Sequence, residues 1–302
     1  MSYIAGIDLG GTKVEGIILH ESNLDQPLCR LRVPTEREKG YDHILSQIAR
    51  LCELMSRETG IPFPQRVGMG TPGAIDPVTQ TIKNSNTQCL NDRPLHDDLK
   101  KLTGYDFVMA NDANCFALAE ATRGSAKGYE TVFGVIMGTG VGGGLVVHGH
   151  VLNGCHGIAG EWGQLILDAN SELYSTYGTR GTAEAILSGP GLEKFYQLRS
   201  GRKLPLQEIV QLARTGRDAN AELTLQHLVR YFSQGISILI NTIDPQAIVL
   251  GGGVGNIDEL YAESTLQEVA RHVFNPRLNT KFLKPTLGDS AGVFGAAMLV
   301  AE

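Results

Sequence analysis

The sequence has no cysteine pair spaced C-x-x-C, no run of 18 apolar residues, no surplus of positive charge and no basic leading segment. Each absence removes a class of protein. Without a long apolar run no segment matches the thickness of a bilayer; the best candidate, 236–250, is broken by Asp244 and Pro245. Five cysteines, odd in number and without C-x-x-C spacing, argue against a disulfide framework and fit a reducing, cytoplasmic setting. A formal charge of −6 gives no basic footprint for nucleic acid. The start, MSYIAGIDLGG, lacks the basic region of a signal peptide. What is present is a chain that can bury a core, with 42% hydrophobic and 19% charged residues. Its 302 residues suit one large domain or two of medium size.

Glycine is the excess, with 37 residues against an average near 7%. It gathers in three places, Gly6–Lys13, Gly138–Gly144 and Gly251–Gly255, each directly after a β-branched run. Each therefore reads as a tight turn at a strand end. The first two are copies. A shift of 128 residues lays Ile4–His20 over Val132–His148, with Gly6/Gly134, Gly10/Gly138, Gly16/Gly144 and His20/His148 identical. Two strand–turn–strand hairpins imply two similar lobes. Gly138-x-Gly140-x-x-Gly143 fits a dinucleotide fingerprint in letters, but Gly144-Leu-Val-Val follows it as a strand where that motif needs a helix. Gly6-xxxx-Gly11-Thr12-Lys13 misses a Walker A loop by residue order and is again followed by a strand. Glycine-rich hairpin turns can still hold phosphates, because their N–H groups form an anion-binding nest.

Periodicity predicts strands over 4–8, 14–19, 28–34, 66–69, 108–111 and 248–250, and a hairpin over 131–151. It predicts helices over 41–59, 95–103, 113–122, 182–188, 190–199, 206–214, 218–241 and 292–300. The order implies a mixed α/β chain of two lobes.

Asp8–Thr12 (D-L-G-G-T), Gly138-Thr139-Gly140 and Val249–Gly253 resemble the actin-like ATPase superfamily of sugar kinases. Asn111-Asp112-Ala113-Asn114 and the run from Leu152 through Gly160-Glu161-Trp-Gly163 are similar to the ROK family within it, nearly end to end. Ile82-Lys-Asn84-Ser-Asn86 and Gly288-Asp289-Ser-x-Gly292 resemble fructokinase/mannokinase-type members. The resemblance implies a two-lobed actin-like (ribonuclease H-like) α/β fold with a cleft between lobes, divided as 1–114 plus 289–302 and 115–288. The helix-turn-helix of the repressor branch has no room before residue 8.

The implied activity is ATP-dependent transfer of the γ-phosphate to the primary hydroxyl of a hexose, with Mg²⁺. Fructose or mannose is the expected sugar; glucose, N-acetylglucosamine or N-acetylmannosamine are alternatives. A non-catalytic sugar- or nucleotide-binding protein is the rival class. Asp112 is the expected general base, against the plainer role of a helix N-cap. Asp8 is expected to hold magnesium through water. Gly10, Gly11, Thr12, Lys13, Gly138, Thr139 and Gly140 are expected on the phosphates, and Gly252, Gly253 and Asn256 on the adenosine side. Asn111, Asp112, Glu161 and Glu184 are implied sugar ligands, with Gly73, Ala74 and Asn86 as further candidates; Glu184 could instead serve a helix terminus.

One segment departs from the family pattern. Most members have a histidine and three cysteines that hold a structural zinc. Here those positions are Gln164, Ser175, Tyr177 and Thr182, so no zinc is expected; Gln164 becomes an amide that can hydrogen-bond sugar. Neither Cys155-His156 nor His148-x-His150 rebuilds the set. Loss of the clip predicts a looser 165–182 segment. A homodimer is a family expectation.

Overall fold

The computed structural model describes residues 3–301. In chain order its elements are β1 (Tyr3–Leu9), β2 (Lys13–His20), β3 (Cys29–Pro34), α1 (Tyr41–Thr59), β4 (Arg66–Thr71), β5 (Ala74–Ile75), β6 (Ile82–Lys83), α2 (Leu95–Thr103), β7 (Asp106–Asn111) and α3 (Asp112–Thr122). There follow β8 (Thr131–Met137), β9 (Val141–Val147), β10 (His150–Val151), α4 (Ala183–Leu187), α5 (Gly189–Ser200), α6 (Leu206–Arg214) and α7 (Ala219–Ile243). The last are β11 (Ala247–Gly251), α8 (Gly252–Gly255), α9 (Glu263–His272), β12 (Lys281–Leu283) and α10 (Ala291–Met298). No described helix is long and apolar enough to cross a membrane.

The chain forms two compact units, 1–128 with 144–159 and 286–302, and 129–143 with 160–285. The first holds a sheet of order β3-β2-β1-β4-β7. β1 pairs antiparallel with β2 and parallel with β4. The strands carry long apolar runs because this sheet is covered on both faces. α1 places Ile44, Leu45, Ile48, Leu51 and Met55 in the core beside Ile18, Val33 and Val67. On α10 the small residues serve close approach. A Cβ on Gly6 would lie 2.5 Å from the Ala297 nitrogen, and one on Gly295 only 1.8 Å from the Cys115 carbonyl of α3. Helix α3 therefore belongs with the first unit, which runs past the expected boundary at 114. Fully buried Glu120, near the end of α3, accepts N–H groups from Thr286 and Leu287 at 3.0 Å and draws the chain back into this unit at 286.

The second sheet has the order β10-β9-β8-β11-β12. β8 lies beside β9 and parallel to β11, so it repeats the neighbourhood of β1, as the hairpin repeat implied. β9 carries the chain from the second unit into the first at residues 143–144. The third glycine cluster differs from the expected strand-end turn, because it opens the short helix α8. There Gly252 has φ +82°, and a side chain would fall 2.2 Å from the Met137 carbonyl, so glycine is required. Strands β6 and β12 and helix α9 have no counterpart in the periodicity reading; the strands are two and three residues long, too short for a period to register.

Candidate active site

In the first unit β1 ends at the turn Gly10–Thr12. The Gly10 N–H donates to the Lys13 carbonyl at 2.9 Å. Buried Thr35 fastens the turn from β3: its hydroxyl donates to the Gly10 carbonyl at 2.7 Å and its N–H to the Thr12 carbonyl at 3.0 Å. Asp8 sits just before the turn, its carboxylate lodged where side chains on Gly70 and Gly292 would be, 3.3 and 2.8 Å away. No donor reaches it among the described residues. Desolvation, then repulsion from Asp112 and Glu15, push its pKa up to about 6, and Lys13 offsets only part of this.

Glu15, on the neighbouring strand, has the opposite environment. Burial pushes its pKa up, but hydrogen bonds from Arg32 and Arg30 outweigh this and hold it below the usual carboxylate value. Arg32 lies at 3.0 Å and Lys13 at 3.4 Å; Arg30 is a third partner. Lys13, expected at the phosphates, is thus partly committed to Glu15.

Asn111 and Asp112 divide the roles at the start of α3. Asn111 is the N-cap, its side-chain oxygen accepting the Asn114 N–H at 2.7 Å. The capping role considered for Asp112 is therefore taken by its neighbour. Asp112 is the first helical residue, with one oxygen accepting the Ala113 N–H at 2.8 Å. Its side chain reaches solvent, yet crowding by protein raises its pKa, despite the opposing pull of the backbone N–H groups at the helix start. A cavity of about 380 Å³ beside it is lined by Ala74, Asn111, Asn114 and Asn153 among others. Gly73, at φ +106° with the Lys83 carbonyl 2.6 Å from a would-be Cβ, shapes the turn before Ala74. Asn86 is exposed on the loop after β6 and does not line this cavity.

In the second unit Gly138 and Thr139 line a cavity of about 660 Å³ together with Gly253 and Asn256. Residues from two of the glycine clusters thus meet in one place. The remaining wall includes Pro190, Leu206, Val210 and Ile257, which give the apolar surface a flat base needs. Periodicity marked a helix at 206–214 without saying that its apolar face also walls a cavity.

Glu184, on α4, is buried and well provided with donors. Its Oε1 accepts the Thr176 hydroxyl at 2.7 Å and the Thr176 N–H at 3.1 Å. Gly140 leaves room for the other oxygen, 3.2 Å from where a Cβ would be. The helix-terminus role belongs to Thr182, which caps α4 by accepting the Ala185 N–H at 3.2 Å. Glu161 precedes a turn over Trp162–Gln164 that is laid on β9: the Trp162 indole donates to the Gly142 carbonyl at 2.8 Å, and a side chain on Gly163 would strike the Val141 carbonyl. The Tyr177 phenol is raised by desolvation, then by Glu184 and Glu161, so both carboxylates lie within electrostatic reach of it.

The four positions where relatives hold zinc carry an amide, two alcohols and a phenol, a donor set that does not fit that metal. They are otherwise engaged. The Ser175 hydroxyl accepts the Thr179 N–H at 3.2 Å, Thr182 caps α4, and Gln164 is exposed. The segment is tied by hydrogen bonds where relatives have the metal clip. A 174–180 hairpin bridges Tyr174 to Arg180, Leu167 and Gly181 pair, and α7 reaches in through Tyr231 to Asp168 at 2.7 Å and Gln234 to the Leu167 carbonyl at 3.1 Å.

Each unit thus has a glycine turn followed by a strand, with a helix-start carboxylate in the first and a buried, donor-rich glutamate in the second. Residues 4–302 match the ROK family model, and the chain belongs to that family. It is 35% identical to the N-acetyl-D-glucosamine kinase of Photobacterium profundum, over 97% of this chain and 98% of that protein. The crystal structure of a ROK hexokinase from Thermus thermophilus superposes with a TM-score of 0.87 at 32% identity, covering 99% of this chain and 97% of the other. A ROK glucokinase from Streptomyces griseus, solved with glucose and AMPPNP, gives 0.75 at 26% identity, with 99% of each chain covered. The fold is that of the actin-like ATPases, and the protein is an ATP-dependent sugar kinase.

Proposed function

We propose that the sugar is N-acetylglucosamine, phosphorylated on its primary hydroxyl. The observation that carries this is the end-to-end likeness, at 32–35% identity, to kinases named for that sugar. The motif at Ile82–Asn86, similar to fructokinase/mannokinase-type members, supports fructose or mannose as the second reading.

Asp112 accepts the proton of the primary hydroxyl as that oxygen bonds to the γ-phosphorus and the bridging bond to ADP breaks. Its release from capping and its raised pKa both suit a base working near neutral pH. Asn111, Glu161, Gln164 and Glu184 hold sugar hydroxyls, with Gly73, Ala74 and Asn86 nearby in role. Gly10, Gly11, Thr12 and Lys13 hold phosphates, as do Gly138, Thr139 and Gly140; Gly252, Gly253 and Asn256 receive the adenosine. Asp8 suits magnesium: a carboxylate with no donor among the described residues, raised by burial and then by two neighbouring carboxylates, gains most from a hard cation or its waters. When bound, the ion supplies charge neutralisation on the phosphates.

A coupled assay of ADP release over N-acetylglucosamine, N-acetylmannosamine, glucose, mannose and fructose tests the reading. The highest kcat/KM is expected on N-acetylglucosamine. A higher value on fructose or mannose selects the second reading, and no turnover on any of them despite ATP binding removes both.

A further inference from the structure

Four cations stand at the β2–β3 end of the first unit, and three of them are spoken for. Lys13, Arg30 and Arg32 converge on the single carboxylate of Glu15. Arg37, two residues beyond Thr35, is exposed, and its guanidinium has no carboxylate, carbonyl or ring partner among the described residues. It nevertheless has a definite place. Its Nη1 lies 3.3 Å from the point a Cβ on Gly11 would occupy, so it stands over the Gly10–Gly11 turn, with the Thr87 hydroxyl 3.9 Å from the same point. The segment that carries it is pinned to that turn by both hydrogen bonds of Thr35. A side chain on Gly11 would occupy the space this guanidinium faces.

The charge around the turn explains why a free cation is needed there. Asp112 and Glu15 both repel a charge on Asp8, and Lys13 offsets only part of this. A polyphosphate brought to such a place meets like charge. A planar guanidinium with its donors uncommitted supplies two parallel N–H groups to phosphate oxygens, which an ion-paired lysine cannot.

We propose that Arg37 is a further catalytic residue, contacting the γ-phosphoryl group and taking up the charge that spreads over its oxygens during transfer. This rests on the reading of Gly10–Lys13 as a phosphate turn and adds a residue to it.

Arg37→Gln removes the charge and nearly keeps the length. Calorimetric binding of a non-hydrolysable ATP analogue and of ADP is measured beside steady-state kinetics and the melting temperature. The analogue's Kd is expected to rise about 10-fold and kcat to fall about 100-fold, while ADP affinity, sugar KM and melting temperature hold. Arg37→Lys is expected to fall between, a point charge replacing a fork. Unchanged analogue affinity and kcat in Arg37→Gln overturn the proposal; so does an equal loss for analogue and ADP, which would assign Arg37 to the turn's shape or to the inner phosphates. Thr12→Ala separates the two levels. If it impairs analogue binding while Arg37→Gln does not, only the role of Arg37 is lost. If neither variant matters, the phosphate-turn reading falls and the proposal with it.

Discussion

In the first unit Asp8 is repelled by Asp112 and receives no donor among the described residues, while Asp112 has only backbone N–H groups at its helix start; in the second, Glu184 is buried deeper yet receives the hydroxyl and the N–H of one threonine. The two arrangements suit different tasks. A carboxylate left partly unsatisfied is poised to take a proton or a cation, whereas one saturated by donors is fixed in place and offers its remaining lone pairs to a neutral ligand. Deep burial alone therefore does not set how ready a carboxylate is to take a proton or a cation; the donor count does.

The strongest way to break this contrast is at Asp112. Asp112→Asn should lower kcat by about a thousandfold with sugar affinity, measured by calorimetry, within about twofold of the parent. A near-normal kcat would remove Asp112 from the base's role and make its poised environment incidental.

Asp8 comes next, through stability. Its folded pKa of about 6 lies above the ordinary 3.8, so the fold favours the protonated form. The stability this gives is present below pH 4 and is lost as pH rises through 6, about 2–3 kcal/mol in all. Without magnesium or nucleotide, Asp8→Asn should therefore be more stable than the parent at pH 7 and should lose the advantage at pH 4. Thermal unfolding of both chains across that range measures the difference, and parallel curves would mean that the carboxylate is already neutralised in solution.

Thr176 offers the smallest effect and the sharpest view of Glu184. Thr176→Val removes the hydroxyl and leaves the N–H, so sugar KM should rise about 10-fold with kcat little changed, and Thr176→Ser should restore it. A fall in kcat with KM unchanged would show that Glu184 acts on the reacting atoms, and the contrast between the units would then narrow.

Much of the scaffold was legible because it is local. The helix at 41–59 matches its predicted limits, and the hairpin copies at 4–20 and 132–148 occupy equivalent sheet positions. The carboxylates at 8, 112, 161 and 184 stood out through motif, and the Asn111–Asp112 pair lay adjacent in sequence although only the structure shows which of them caps. What stayed hidden depends on partners far along the chain or on loops without a period. Thr176 matters through Glu184 eight residues on, and Arg37 through a turn 26 residues back, where the distance is set by Thr35. The boundary expected at 114 failed to anticipate α3 because the contact that claims it, Gly295 on Cys115, spans most of the chain.

That contact also bears on the order of synthesis. β1 is made well before α10, the helix whose backbone it packs against at Gly6, with nearly all the other described elements between them. Until then the first sheet has an open face where α10 will lie, while the second unit, continuous from 160 to 285, has all but its hairpin strand in one stretch. Loop closure over such a separation is slow and leaves apolar surface exposed. The first unit thus stays unfinished until α10 has been made.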